Sequence, residues 1–271
     1  MSKTSARFFL IAACAIFFGA GCSANWSSSI DGSAIMPTAS STAATANVEW
    51  KTIDTGAERA AISAAGISAI LYRFDPAQFS WKFVVTSTAL TITEWASQEP
   101  QAVFLTNGVY FQPDFSPSGL FVTNKQRIGT RQFDPQRSGV LILAPQPSIL
   151  DTSVPTSSDA LSSVTEAAQS YPFLIKNGQF AVTQETGHAA RRTFFGLDQQ
   201  GRVYMGVVDQ TPVTLFVLSK FLQQLPVAWR DVLNLDGGPS TGLVARFSSD
   251  KEVVSSLLGV SNSIEVDRYP H

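Results

Sequence analysis

The chain has 271 residues, of which 44% are hydrophobic and 15% are charged, and its formal net charge at pH 7 is -2. This balance gives no basic field for nucleic acid or another polyanion. Both cysteines, Cys14 and Cys22, lie near the N-terminus, so the rest of the chain has no thiol for a disulfide, a metal site or covalent catalysis.

The first 21 residues have the order of a secretory signal peptide. Lys3 and Arg7 precede an apolar run over residues 8–18, which is shorter than the ~20 residues that a transmembrane helix needs. Small residues then lead to Cys22, an arrangement that resembles the bacterial lipobox, in which that cysteine is lipidated. Gly19 departs from the aliphatic residue usual there, and ordinary cleavage after Ala24 is the alternative.

Residues 22–47 are rich in Ser, Ala and Thr and have few large apolar side chains to offset the entropy of ordering. We predict a flexible lipoprotein tether there, followed by one folded domain over residues 48–271. The expected location is the bacterial cell envelope, with the protein held on the membrane through Cys22 and facing the periplasm or the cell surface.

Strand-like segments dominate this domain, most of them short and bounded by turn-forming residues. They cover residues 83–88, 102–105, 139–143, 173–175, 203–208, 232–235, 243–247 and 263–266. Thr91 and Glu94 form a capping-box pattern that predicts a helix through Ala96, and residues 214–225 have apolar side chains at helical spacing. The expected fold class is α+β, with mostly antiparallel sheets and a few packed helices. The Pro- and Ser-rich residues 145–163 predict a long surface loop.

Asn107 and Gly108 follow the predicted strand over residues 102–105, with Tyr110 and Phe111 just beyond. An amide at a strand end can bind a ligand, and the aromatic rings can pack on a sugar. A simple Asn-Gly turn with core aromatics explains the same pattern.

Arg192 stands at the start of another strand-like stretch, although a solvated arginine is the commoner case. His188 has no second histidine at a metal-ligand spacing, so a solvated loop histidine is the simplest interpretation.

The most informative segment begins where the apolar residues 232–235 end. Asp236 is followed by Gly237 and Gly238, and Ser240 and Thr241 come next. Paired glycines let backbone N–H groups approach an anion beside the carboxylate, whereas a plain hairpin turn is the alternative.

Residues 238–242 also match the GxSxG nucleophile elbow of serine hydrolases. That elbow needs a helix after the serine and a histidine downstream. Here residues 243–247 are strand-like and the only later histidine is the terminal His271, so a serine hydrolase using Ser240 is the weaker hypothesis.

Taken in order, these segments resemble the phosphodiester glycosidases, the family of the uncovering enzyme of the lysosomal mannose 6-phosphate pathway, N-acetylglucosamine-1-phosphodiester alpha-N-acetylglucosaminidase, and of many bacterial envelope proteins. Residues 107–111 are similar to the family's Asn-Gly-Gly-Phe-Phe, and residues 172–178 to its Pro-x-Leu-x-x-x-Gly. Residues 192–196, 235–238 and 261–264 are similar to its Arg-Thr-x-x-Gly, Leu-Asp-Gly-Gly and Ala-Asn-Ala-Leu. The resemblance covers nearly all of residues 48–266. Val109 and Pro239 depart from it, each replacing a glycine.

The resemblance implies an exported hydrolase that cleaves the glycosidic bond of sugar-1-phosphodiesters in envelope or extracellular glycans. It implies Asp236, Arg192 and Asn107 as catalytic residues, acting on water or the anomeric carbon, on the phosphate and on a sugar substituent. Substrate-binding residues would be Gly237, Gly238, Ser240, Thr241, Tyr110 and Phe111. No cofactor is expected, metal dependence is left open, and a non-catalytic glycan-binding lipoprotein is the competing class.

Overall fold

Strands make up most of the fold. The computed structural model describes residues 47–129, 133–153 and 161–269, so the predictions for the signal peptide, Cys22 and the tether lie outside the described residues. The strands within these ranges are β1 (Lys51–Asp54), β2 (Ala57–Ala64), β3 (Ile67–Phe74), β4 (Phe79–Leu90), β5 (Phe104–Asn107), β6 (Phe121–Thr123), β7 (Gln126–Arg127), β8 (Gly139–Ala144), β9 (Ser148–Asp151), β10 (Glu166–Ser170), β11 (Phe173–Lys176), β12 (Gln179–Phe180), β13 (Ala190–Asp198), β14 (Val203–Val213), β15 (Trp229–Asn234), β16 (Leu243–Phe247), β17 (Asp250–Val254) and β18 (Val260–Arg268). The α-helices are α1 (Ile92–Gln98) and α2 (Leu215–Gln224).

The strands form three antiparallel sheets. The first has eight strands in the order β1-β2-β3-β14-β13-β15-β11-β12. The second has the order β7-β6-β10-β8-β9, and the third has the order β17-β16-β5-β18-β4. Strands β13 and β15 of the first sheet and β5 of the third lead to the residues that the sequence motifs single out.

The main hydrophobic core draws buried side chains from all three sheets, among them Phe74, Phe83, Phe121 and Phe195. Alternation along each strand places apolar side chains on this inner side. The other face of the eight-stranded sheet is covered by α2, and α1 covers β5, β16 and β18. The packed layers give the strand ends at the site a fixed geometry.

Both helices begin where the sequence predicts. The Thr91 hydroxyl accepts the N–H of Glu94, and the Glu94 carboxylate accepts the N–H of Thr91, which confirms the capping box. Thr214 caps α2 in the same way through the N–H of Val217. Neither of the α-helices in the described ranges is long and apolar enough to cross a bilayer.

Two expectations about the fold need correction. The sheets are antiparallel, as predicted, but with so little helix the fold is mostly β and fits the α+β label only roughly. The predicted loop over residues 145–163 contains strand β9. This strand pairs with β8, and Ile149 and Leu150 lie opposite Leu141 and Val140.

Candidate active site

Asp236 lies at the meeting point of two sheets, two residues after the end of β15. The N–H of Leu235 donates to the carbonyl of Thr193 on β13 at 2.9 Å. The N–H of Asp236 then donates to the carbonyl of Gly108, just beyond the end of β5, at 3.2 Å. Two independent strands therefore fix the backbone that carries the carboxylate.

Asn107 holds this junction together from inside the protein, where its side chain is fully buried. Its Oδ1 accepts the hydroxyl of Thr193 at 2.8 Å and the N–H of Gly242 at 3.1 Å. Its Nδ2 donates to the carbonyl of Asp236 at 2.7 Å. Because these bonds occupy the amide, Asn107 positions Asp236 and does not face a sugar as expected. Thr241 belongs to the same buried network, 3.3 Å from the Thr193 hydroxyl.

The residues after Asn107 are shaped by a second buried amide, Asn262 on β18. Its Oδ1 accepts the N–H of Val109 at 2.8 Å, and its Nδ2 donates to the Val109 carbonyl at 3.0 Å. A Cβ on Gly108 would lie 2.0 Å from Asn262 Oδ1, so only glycine fits there. This contact explains why Gly108 and Asn262 occur together in the sequence pattern.

The carboxylate of Asp236 is half-buried, and burial raises its pKa above the ordinary value. Hydrogen bonds from the Ser240 hydroxyl and the Gly237 N–H, and the charge of Arg137, oppose this rise. The Gly237 bond is 2.9 Å long. A carboxylate held by donors, with a raised pKa, is suited to accept a proton from water.

Arg192 lies beside the Asp236 turn. A Cβ on Gly237 would lie 3.8 Å from Cδ of Arg192 and only 2.9 Å from the Arg191 carbonyl, so this position has no room for a larger residue. Arg192 Nε donates to the Val213 carbonyl at 2.9 Å, and Nη2 donates to the His188 carbonyl at 2.6 Å. Burial lowers the pKa of this half-buried guanidinium. Two of its three nitrogens thus orient the side chain, while the His188 side chain is exposed.

Tyr110 is influenced by the charges of both Asp236 and Arg192. Its hydroxyl accepts from Asn234 Nδ2 at 2.6 Å and donates to the Tyr171 carbonyl at 3.2 Å. Burial raises the pKa of the Tyr110 phenol, the Asp236 charge raises it further, and the charge of Arg192 lowers it. Asp236, Arg192 and Tyr110 therefore share one electrostatic environment.

Phe111 packs against other residues than Tyr110 does. Its ring is 6.1 Å from that of Phe115, and it packs against the cluster that contains Ile92 and Trp95. The role of Phe111 in substrate binding therefore stays a prediction, and the Tyr110 ring is the one that lies beside Arg137.

Three residues at this site were not found from the sequence: Arg137, Tyr171 and Asn234. The Arg137 guanidinium lies over the rings of Tyr110 and Tyr171, at 5.2 Å and 4.6 Å from their centroids. Arg137 lies in no recognisable motif. Tyr171 and Asn234 each stand directly before a motif segment, at residues 172 and 235, which is the one signal that pointed to them.

The glycine turn leaves open space beside the carboxylate. Gly238 has a φ of +61°, and a Cβ there would have no atom within 4 Å. Ser240 lies at the end of a single 3-10 turn, and strand β16 follows from Leu243. A nucleophile elbow passes from strand to helix, so the local geometry does not match that motif.

We expect Ser240 to be no covalent nucleophile, because its hydroxyl bonds to Asp236 and the following element is a strand. A fluorophosphonate probe should leave it unlabelled, and Ser240→Ala should retain turnover within about 10-fold, as for the loss of one supporting hydrogen bond. Mass spectrometry of the probe-treated protein checks this. Rapid labelling of Ser240 would instead support the serine-hydrolase alternative.

A separate cavity lies away from Asp236. A cavity of about 520 Å³ is lined by Trp81, Gln200, Arg202 and Tyr269, among others. It sits near the end of β13 that pairs with Trp229, whereas the Asp236 end pairs through Asn234. The two ends are roughly 13 Å apart along β13 at ~3.3 Å per residue. We place the candidate active site at Asp236 because charged groups, donors and open space converge there.

Among the residues that the structure describes, no three His, Cys, Asp or Glu side chains lie together in an arrangement that could hold a metal ion.

Comparison with known proteins shows the family of the chain. The profile of the phosphodiester glycosidase family matches residues 100–266, which include Asn107, Arg192 and Asp236. No curated protein matches the chain. The zebrafish N-acetylglucosamine-1-phosphodiester alpha-N-acetylglucosaminidase catalytic domain, auto-inhibited by its pro-peptide, is similar at 16% identity and a TM-score of 0.59, over 82% of each chain. A hypothetical protein from Synechocystis is similar at 15% identity and a TM-score of 0.58, where 82% of this chain spans 64% of that one. At such identities both likenesses show the fold alone.

Proposed function

Because this chain belongs to the phosphodiester glycosidase family, we propose that it hydrolyses the glycosidic bond of sugar-1-phosphodiesters in envelope or extracellular glycans. The observation that carries the proposal is the convergence of a donor-held carboxylate, Asp236, with the guanidinium groups of Arg192 and Arg137 around Tyr110. A carboxylate beside cations is what a reaction at a sugar carbon next to a phosphate requires.

The chemistry of the leaving group explains why one carboxylate suffices. Cleavage breaks the bond between the anomeric carbon and the bridging oxygen, and the oxygen departs on a phosphomonoester whose second pKa is about 6. Such a group needs little protonation, so the second carboxyl of an ordinary glycosidase is less necessary. Water supplies the new bond to the anomeric carbon, and its proton passes to the Asp236 carboxylate.

The remaining residues bind and position. Arg192 would bind phosphate oxygens with the guanidinium edge that is not bonded to Val213 and His188, assisted by the N–H groups of the glycine turn. The open space beside Gly238 would admit the substrate. Asn107 would act through the backbone, by holding the Asp236 carbonyl.

Turnover separates this function from its rival, a glycan-binding lipoprotein that holds a cell-surface sugar without cleaving it. We expect the purified protein to convert methyl diesters of sugar 1-phosphates to free sugar and methyl phosphate, as resolved by ³¹P NMR. The matching sugar 1-phosphate monoester serves as a control for a contaminating phosphatase. Saturable binding of these diesters without any turnover would favour the binding protein.

We also propose that the protein is anchored through a lipid on Cys22, because the small residues before it resemble a lipobox. Cys22→Ser should move the protein from the membrane fraction to the soluble fraction, as measured by fractionation and immunoblotting. Cys14→Ser is the matched control and should leave the protein on the membrane. A wild-type protein that is already soluble would contradict the anchor.

A further inference from the structure

We propose that Arg137, together with Arg192, binds the phosphate group of the substrate. The inference rests on the proposed function for the identity of that substrate. The anion-binding chemistry of Arg137 can be measured without turnover.

The Arg137 guanidinium has N–H donors that are not hydrogen-bonded within the protein. Its Nε donates to the Asp134 carboxylate at 3.1 Å, which is its one side-chain acceptor among the described residues. Nη1 is buried and has no hydrogen-bond partner. An unpaired buried donor costs about 1–3 kcal/mol, and a ligand oxygen that accepts from it removes this cost. Arg192, in contrast, already uses two of its nitrogens on backbone carbonyls.

The side chain is also held in place before any ligand arrives. The guanidinium lies over two tyrosine rings, Tyr110 and Tyr171, and only 14% of the side chain is exposed. Gln169, buried on β10, donates from Nε2 to the Arg137 carbonyl at 3.0 Å and to the Asp134 carbonyl at 2.9 Å. An arginine fixed in this way loses little entropy when it binds an anion.

The Arg137 guanidinium lies where a residue that binds the substrate is expected. Tyr110, which lies under the guanidinium, bonds through its hydroxyl to Asn234, two residues before Asp236. The Arg137 charge acts on Asp236 as well as on Tyr110. A phosphate bound to the free Nη edge would therefore stand next to the carboxylate that acts on the sugar carbon.

The test is binding of inorganic phosphate and of glucose 1-phosphate, measured by isothermal titration calorimetry on the whole protein. Arg137→Gln should weaken both affinities at least about 10-fold, as expected for a hydrogen bond to a charged group. Arg137→Lys keeps the charge without the planar fork, so its affinity for each probe should lie between those of wild type and Arg137→Gln. Arg127→Gln, at an exposed position on β7, is the matched control and should bind like wild type.

Several results would overturn the proposal. They are unchanged affinity in Arg137→Gln, an equal loss in Arg127→Gln, and a wild-type protein that binds neither probe. Thermal unfolding of each variant checks the fold, and the Lys variant carries the test if the Gln variant does not fold. If wild type binds both probes in an Arg137-dependent way but hydrolyses no diester, the proposed function fails while this inference stands.

Discussion

Asp236→Asn is expected to lower kcat/KM for a sugar-1-phosphodiester by at least ~10²-fold, the lower end for loss of a positioned acid or base. The amide keeps the size of the side chain and its place beside the Gly237 N–H, but it cannot take a proton from water. Steady-state kinetics measure the effect. Thermal unfolding should show a melting temperature close to that of wild type, which separates lost chemistry from lost fold.

The pH profile gives this prediction a second measurement. Burial raises the Asp236 pKa, so the base is protonated, and activity lost, at a higher pH than for an ordinary carboxyl. In wild type, kcat/KM should fall as the pH decreases through that pKa, and the residual activity of Asp236→Asn should lack this fall. Wild-type turnover in the Asn variant, or an unchanged acid limb, would exclude Asp236 as the base.

Asn107→Ala is expected to damage both stability and turnover. It leaves the Gly242 N–H and the Asp236 carbonyl without their side-chain partner at a fully buried position, and it leaves the Thr193 hydroxyl only Thr241. Each unpaired buried group costs about 1–3 kcal/mol, so we expect a loss of roughly 2–5 kcal/mol in the free energy of unfolding after partial relaxation. Displacement of the Asp236 backbone should also lower turnover ~10²-fold.

Urea denaturation and steady-state kinetics test the two effects separately. Gln126→Ala, at an exposed position on β7, is the control and should change neither quantity. An Asn107→Ala protein with wild-type stability would show that the buried network is dispensable. A stable variant that loses only sugar affinity would return Asn107 to the ligand role expected from the sequence.

Local chemistry predicted much of this fold. The caps at Thr91 and Thr214 place both helices, because a hydroxyl that accepts a backbone N–H acts within one turn of chain. The hairpin of β2 and β3 was missed. Its first strand is rich in alanine, a residue with weak β propensity, and its order comes from pairing along the edge of the large sheet.

The site was predictable only in part, for a related reason. Asp236 and Asn107 stand at the ends of apolar strands beside glycines, a pattern that is visible in one segment of chain. Arg137 reaches the site by stacking on Tyr110 and Tyr171, residues distant in sequence, and no local pattern encodes that contact. The burial that makes Asn107 a positioning residue likewise depends on the meeting of two sheets.

We expect this protein to break the bond between the sugar carbon and oxygen, and to leave the phosphorus–oxygen bonds intact. Hydrolysis of a sugar-1-phosphodiester in H₂¹⁸O, followed by mass spectrometry of both products, tests this directly. We expect one ¹⁸O atom in the released sugar and none in the phosphomonoester, because Asp236 directs water to the anomeric carbon. Label in the phosphate instead would identify a phosphodiesterase and exclude the proposed glycosidase.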